Sequence, residues 1–207
     1  MLDKTGFDLW ANGYDESVGL SDTSNTYPFA GYKQILNSIY QGILQTPGAK
    51  VLDIGFGTGV LTTRLYQQGC RIWGQDFSLR MIELAQQKMP GAHLYCGDFS
   101  QGLVQELTAR RYDAIVATYS LHHLTDPQKW DFLRDLLPLL RPGGRIYIGD
   151  VAFRTRRELN QCRAACGEQW DEDEIYFVFE ELQAHFTLAN FTPFSSCGAL
   201  IEIAHCR

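Results

Sequence analysis

The chain lacks most of the features that would take it out of the ordinary globular class. No stretch approaches the ~18 consecutive apolar residues of a membrane span. Its first residues, MLDKTGFDLWANGYDESVG, are acidic and polar where a secretory leader is basic and then apolar, so no leader is expected. Positive charge is not in excess: 18 Lys and Arg face 24 Asp and Glu, and a net charge of −6 argues against a main role in gripping nucleic-acid phosphates. Six cysteines (70, 96, 162, 166, 197 and 206) form no Cys-x-x-Cys pair, and they read as reduced thiols of a cytoplasmic protein. There is no repeat, no low-complexity tract and no Pro/Ser-rich linker, so the 207 residues are expected to form a single domain. Absent signatures narrow the chemistry as well. A hydrolase elbow, Gly-x-Ser-x-Gly, is missing.

From residue 50 onward short apolar runs alternate with helical patterns. Strands are expected at 50–54, 71–76, 92–96, 113–118 and 144–151, with helices at 58–68, 79–88, 101–109 and 127–140. A last helix around 173–188 precedes strands at 190–196 and 199–205, whose short connection forces an antiparallel hairpin. The fold class is therefore α/β, a Rossmann-like sheet of seven strands, mostly parallel, with one antiparallel strand in a C-terminal hairpin and helices on both faces. Residues 1–49, including a helix at about 28–45, lie ahead of this alternation as an N-terminal helical cover. The core spans 50–151, and 152–207 forms an acceptor-side segment.

In such a sheet ligands bind beyond the carboxyl ends of the strands. The first strand ends in VLDIGFGTG, with Asp53 followed by Gly55, Gly57 and Gly59. Glycines let the backbone turn tightly and approach a ligand. The carboxylate disfavours a phosphate and favours a positively charged group such as an amine. A dinucleotide fingerprint fails because Val60 stands where its third small residue belongs, and a P-loop fails because no Lys follows. The second strand ends at Asp76, 17 residues after Gly59, where a carboxylate accepts from both hydroxyls of a ribose. Gly97–Asp98–Phe99 follows the third strand, an acid beside an aromatic that suits an adenine. Each acid alone is also explained as a helix cap. Three at successive strand ends point to a nucleoside-containing ligand.

These motifs, with YDAIVATYSLHHL at strand four, LRPGGRIYI at strand five and the opening FDLWANGYDES, resemble the class I S-adenosylmethionine-dependent methyltransferases. The subgroup they are most similar to is the small-molecule type of the YrrT-like and ubiquinone/menaquinone-biosynthesis enzymes. The resemblance implies S-adenosyl-L-methionine as cofactor. Asp53 and the Gly55 backbone would meet its amino group, Asp76 its ribose, and Phe77 and Met81 its adenine. Asp98 and the Phe99 backbone would hold the adenine edge, and Thr118–Tyr119 the methionine portion, with Tyr14 reaching over from the cover. Phe56 departs from the small residue usual between the first two glycines and is expected to point away from the cofactor or into the core. The implied reaction is in-line methyl transfer to a small-molecule acceptor, with no nucleic-acid partner, by a monomer or homodimer. Regulatory cofactor binding, or other chemistry on the same cofactor, is the alternative.

His122, His123 and Tyr119 follow strand four and are the candidates for taking a proton from the acceptor. No metal is expected, because strand four is followed by Tyr119–Ser120 rather than an acid and adjacent histidines do not share one helix face. Arg154, Arg156 and Arg157 are read as an acidic-acceptor site or a solvated helix start, and Tyr176, Phe177 and Phe179 as core.

Overall fold

The computed structural model describes residues 26–204. Tyr14, His205 and Cys206 lie outside them. The chain enters through α1 (Tyr32–Leu44) and then alternates: β1 (Lys50–Ile54), α2 (Val60–Gln67), β2 (Arg71–Asp76), α3 (Leu79–Lys88), β3 (His93–Cys96), α4 (Gln105–Thr108), β4 (Tyr112–Thr118), α5 (Asp126–Leu136) and β5 (Leu140–Phe153). It continues through α6 (Arg156–Cys166), β6 (Phe177–Val178), α7 (Phe179–Gln183), β7 (Ala189–Pro193) and β8 (Gly198–Ala204). The strands lie in the order β3-β2-β1-β4-β5-β8-β7. All pairs from β3 to β5 are parallel, and β8 runs antiparallel to both of its neighbours. The architecture is thus the expected Rossmann-like sheet with one reversed strand.

Alternate residues of each strand feed two cores, the period-2 rule of a strand buried on both faces. Val51, Ala114 and Val116 meet Ile35 and Ile39 of α1 and Leu61 and Leu65 of α2. Leu52, Ile54 and Ile115 meet Leu107 of α4 and Leu133 and Leu136 of α5. α1 is thereby a packing layer rather than a lid. It seats so closely that a Cβ on Gly149 would come within 2.5 Å of Ile35. Among the described residues of the N-terminal segment, Tyr27, Pro28, Phe29 and the first residue of α1, Tyr32, line the cavity at the strand ends.

The C-terminal third differs from expectation in three ways. The helix expected at 173–188 is reduced to α7, because Ile175 donates its N–H to His122 O and Phe177–Val178 add to β5 as an eighth strand. The longer helix is α6, at the arginine cluster. Its start is fixed by a capping box, Thr155 accepting from Glu158 N while Glu158 accepts from the backbone of Thr155, a local signal present in the sequence. The hairpin turn is also wider than two residues, since β7 ends at Pro193 and β8 begins at Gly198.

Candidate functional site

Beyond the carboxyl ends of β1, β2 and β4 opens a cavity of about 420 Å3. Of the residues singled out in the sequence, it is lined by Asp53, Gly55, Gly57, Asp76, Phe77, Met81, Phe99, Thr118, Tyr119, His122 and His123. Gly59 and Asp98 stand outside the lining. Gly59 precedes α2 with a positive φ, and a Cβ there would press on Met89 of the α3 layer. Exposed Asp98 caps the 3-10 turn that follows β3, accepting from Ser100 N at 2.8 Å. Phe56, expected to point away from the cofactor or into the core, packs into the core and also borders the cavity. It fits only because its neighbour strand carries Gly74, where a Cβ would lie 2.6 Å from its ring.

Asp53 occupies the end of β1, 2% exposed, and its Oδ1 has no hydrogen-bond partner. A buried acceptor left unpaired is costly unless a ligand completes it. Burial pushes the carboxyl up to about 7, with the Thr62 hydroxyl opposing and the Asp76 charge adding to the rise. An acid raised in the folded state binds more protons there than in the unfolded chain. Asp53 therefore favours folding at low pH and withdraws that contribution as pH climbs from about 4 to about 7. The melting temperature of the unliganded wild type should fall across that interval relative to Asp53→Asn, and a cationic ligand at this carboxylate should bind more tightly over the same interval. Melting curves and titration calorimetry from pH 5 to 8 check both, and parallel profiles for wild type and variant would contradict the assignment.

Asp76 is set differently. Its Oδ2 accepts from Gly57 N and its Oδ1 from Ser78 N, both at 2.9 Å, so the side chain ties the glycine turn to the start of α3. Opposite, Tyr119 holds a left-handed backbone (φ 50) that L-residues with bulky side chains rarely adopt. Its ring packs on Phe29 and Tyr32, with centroids 5.1 and 5.3 Å away.

The other side of the cavity is built by residues far apart in sequence. A 3-10 turn, Leu121–His123, brings the two imidazoles edge to face with centroids 4.3 Å apart. Although adjacent histidines do not share one helix face, their ring nitrogens here come within 4.8 Å of each other and of a Glu174 oxygen. His122 Nδ1 lies 2.7 Å from buried Asp150 Oδ1 at β5, and Nε2 lies 3.3 Å from Glu174 Oε1. Burial alone would lower the His122 pKa, but Asp150 and Glu174 together raise it above the usual histidine value. His123 is pushed down to about 4 by burial and by His122. Burial raises the Glu174 carboxyl, partly offset by His122.

Glu174 belongs to an acidic loop, with Asp171 and Asp173, that walls the cavity. The loop is anchored by buried Lys129, whose ammonium bonds Asp126 (2.9 Å) and Ile175 O, and by Tyr27, which stacks on Trp170 and accepts from Asp171 N. Nothing local in the sequence links this acidic run, residues 171–174, to the histidines about 50 residues earlier. Tyr27, Phe29, Tyr32 and Lys129 carried no local signal. The arginines do not reach the cavity lining: Arg156 forms a two-pronged pair with Glu181 (2.9 and 2.6 Å) and Arg154 lies over Phe179 and Phe191. The wall on the acceptor side is acidic, not basic. Phe177 and Phe179 are core as expected, whereas Tyr176 is both core and partner to Glu174.

Among the described residues the cysteines carry no disulfide, and no helix is long and apolar enough to cross a membrane. A family model described as a methyltransferase domain matches residues 51–144. An uncharacterized methyltransferase of Anoxybacillus flavithermus is 34% identical over 193 residues, covering 90% of this chain and 88% of the relative. One from Alkaliphilus oremlandii is 33% identical over 180 residues, covering 87% and 80%. In solved structures the fold is similar to a DhpI–SAH complex (TM-score 0.72, 18% identity, 99% and 96% of the two chains). It is also similar to magnesium protoporphyrin IX methyltransferase of Synechocystis PCC 6803 with bound SAH (TM-score 0.66, 19%, 85% and 84%).

Proposed function

Because the chain belongs to the class I S-adenosylmethionine-dependent methyltransferases, we propose that it moves the sulfonium methyl of S-adenosylmethionine onto a small-molecule acceptor held between the glycine turn and the 171–174 loop. The observation that carries this reading is the buried Asp53 oxygen without a partner, which asks for a ligand ammonium at the end of β1. Asp76 would accept from the ribose hydroxyls with its remaining lone pairs. Phe77 and Met81 would flank the adenine, with Asp98 and the Phe99 N–H at its edge. When bound, the cofactor supplies a methyl already activated by its positively charged sulfur, so the protein's main task is alignment.

The backbone at Thr118–Tyr119 would hold the methionine portion, and the rings of Tyr119, Phe29 and Tyr32 exclude water from its end of the cavity. The acceptor atom would sit at the corner made by His122, His123 and Glu174, which is where a proton can leave it. His123, pushed down to about 4, is neutral at physiological pH, and burial raises the Glu174 carboxyl, so this corner carries little fixed charge of its own. The acidic wall selects against anionic acceptors. Free thiols agree with action in the cytoplasm.

A thermal-shift comparison tests the cofactor. S-adenosylhomocysteine at about 100 times its Kd should contribute about 2.7 kcal/mol and raise the melting temperature by roughly 5–10 °C for a chain of this size. NAD should leave it unchanged. Stabilisation by NAD and not by the thioether would sink the reading. A metabolite extract incubated with cofactor, scanned for the mass gain of one methylene, then finds the acceptor.

A further inference from the structure

Resting on that reading of the cavity, we infer that His122, His123 and Glu174 form a site for a divalent ion of the zinc class, which activates a hydroxyl or thiol acceptor for methylation. The ligand atoms of these three residues all lie within 4.8 Å of one another. The separation of His122 Nε2 from Glu174 Oε1 is 3.3 Å. Tetrahedral coordination with bonds of ~2.0–2.1 Å puts neighbouring ligand atoms about 3.3–3.4 Å apart, so this pair already has the edge length of a zinc site. Two imidazoles and one carboxylate with a fourth position open to a cavity is the ligand count of catalytic rather than structural zinc.

The outer shell is in place as well. A metal-binding histidine usually gives its other ring nitrogen to a carboxylate, which fixes ring and tautomer. His122 does this with Asp150, 1% exposed, whose Oδ1 is held in turn by Val151 N at 2.8 Å. Glu174 uses its second oxygen to accept from Tyr176 Oη, itself bonded to Tyr27, so Oε1 is presented singly. Asp150 and Glu174 bring two carboxylates into a largely dry corner, and a dication between the imidazoles balances them. The same geometry without an ion would be a protonated His122 bridging two carboxylates, and the two differ in what they bind.

With the ion in place the acceptor R–XH coordinates through X. Its proton leaves to water at the acidic mouth, and the lone pair on X forms the X–CH3 bond. The S–CH3 pair returns to sulfur, giving the thioether, so no oxidant or reductant is needed.

The test uses the full chain freed of metal by chelator and titrated with zinc in a calorimeter, with cobalt(II) as the spectroscopic probe. The site predicts one equivalent of zinc at micromolar Kd or tighter, and a four-coordinate cobalt spectrum without thiolate charge transfer. His123→Ala and Glu174→Gln should abolish binding while the melting temperature stays near wild type. Asp150→Asn should weaken binding about 10- to 100-fold, as removal of an outer-shell carboxylate does. No binding by the wild type overturns the proposal, as does binding that survives both ligand variants or carries the thiolate band expected if Cys162, Cys166 and Cys197 were the ligands. S-adenosylhomocysteine is titrated in parallel. If it binds and zinc does not, only the metal site falls; if it does not bind, the cofactor reading falls first.

Discussion

Replacing Asp76 by alanine is expected to lower the affinity for S-adenosylhomocysteine by about two orders of magnitude or more and to leave a folded chain. Hydrogen bonds to a charged group contribute about 1.5–3 kcal/mol each, and a ribose offers two to this carboxylate. The same substitution strips acceptors from Gly57 N and Ser78 N, so the glycine turn loses its tether to α3 and part of its preorganisation. Two backbone donors left unpaired near the cavity mouth cost roughly 2–4 kcal/mol, since water reaches them once the carboxylate is gone. That corresponds to a drop in melting temperature of about 5–10 °C for a chain of this size. Asp76→Asn separates the two effects. Its amide oxygen still accepts one N–H, but its NH2 faces the other donor, so stability recovers only in part and ribose binding stays weak. Calorimetry with the thioether and melting curves of both variants decide the matter. Unchanged affinity in Asp76→Ala would remove the ribose assignment.

Gly55→Ala is expected to be the most damaging change in the glycine turn. Gly55 sits at φ 66, where an L side chain costs about 1–2 kcal/mol. Its added Cβ would also lie 2.6 Å from Ser120 Cβ, closer than carbon atoms pack. Ser120 cannot simply step aside, because its hydroxyl donates to Ile54 O at 2.9 Å and follows the strained Tyr119. Overpacking of this kind typically costs a further ~1–3 kcal/mol, for a total of roughly 3 kcal/mol or more. Cofactor binding should fall at least tenfold, because the turn that follows Asp53 shifts with it, and with it the Gly55 N–H bond to Gln75 O. Gly57→Ala is the control for stability: φ is similar at 55, but nothing lies within 4 Å of the new Cβ, so only the conformational cost of about 1 kcal/mol applies. Equal melting temperatures for the two variants would show that the contact with Ser120 does not constrain the turn.

The parts of the molecule that were legible in the sequence are those decided by neighbours in the chain. β1 and β2 fall where their apolar runs and flanking turns put them, and Asp53 and Asp76 end up at one cavity because parallel strands deliver their ends to one edge. Phe56 could be assigned to the core from its place between glycines, although the reason it fits, Gly74 opposite, lies on another strand. The arginine cluster does open a helix, but the helix expected at 173–188 gives way over 173–178 because its apolar residues there do not repeat on one helix face. Ile175 to Val178 answer to β5 and His122 rather than to each other. The capping box at Thr155 was a local signal that marked the true helix.

The sequence by itself determined the α/β alternation, the single reversed strand and the meeting of Asp53 and Asp76 at one cavity, since hydrophobic period and turn chemistry act over a few residues. Only the tertiary structure decided the wall made by the histidines and the acidic loop. Glu174 meets His122 across 52 residues, and Tyr27 meets Tyr176 across 149. A buried lysine and an aromatic stack hold that loop against the histidines, and no spacing along the chain encodes such a meeting. It follows from which faces the two cores leave to be covered, and that is settled only when the whole sheet is packed.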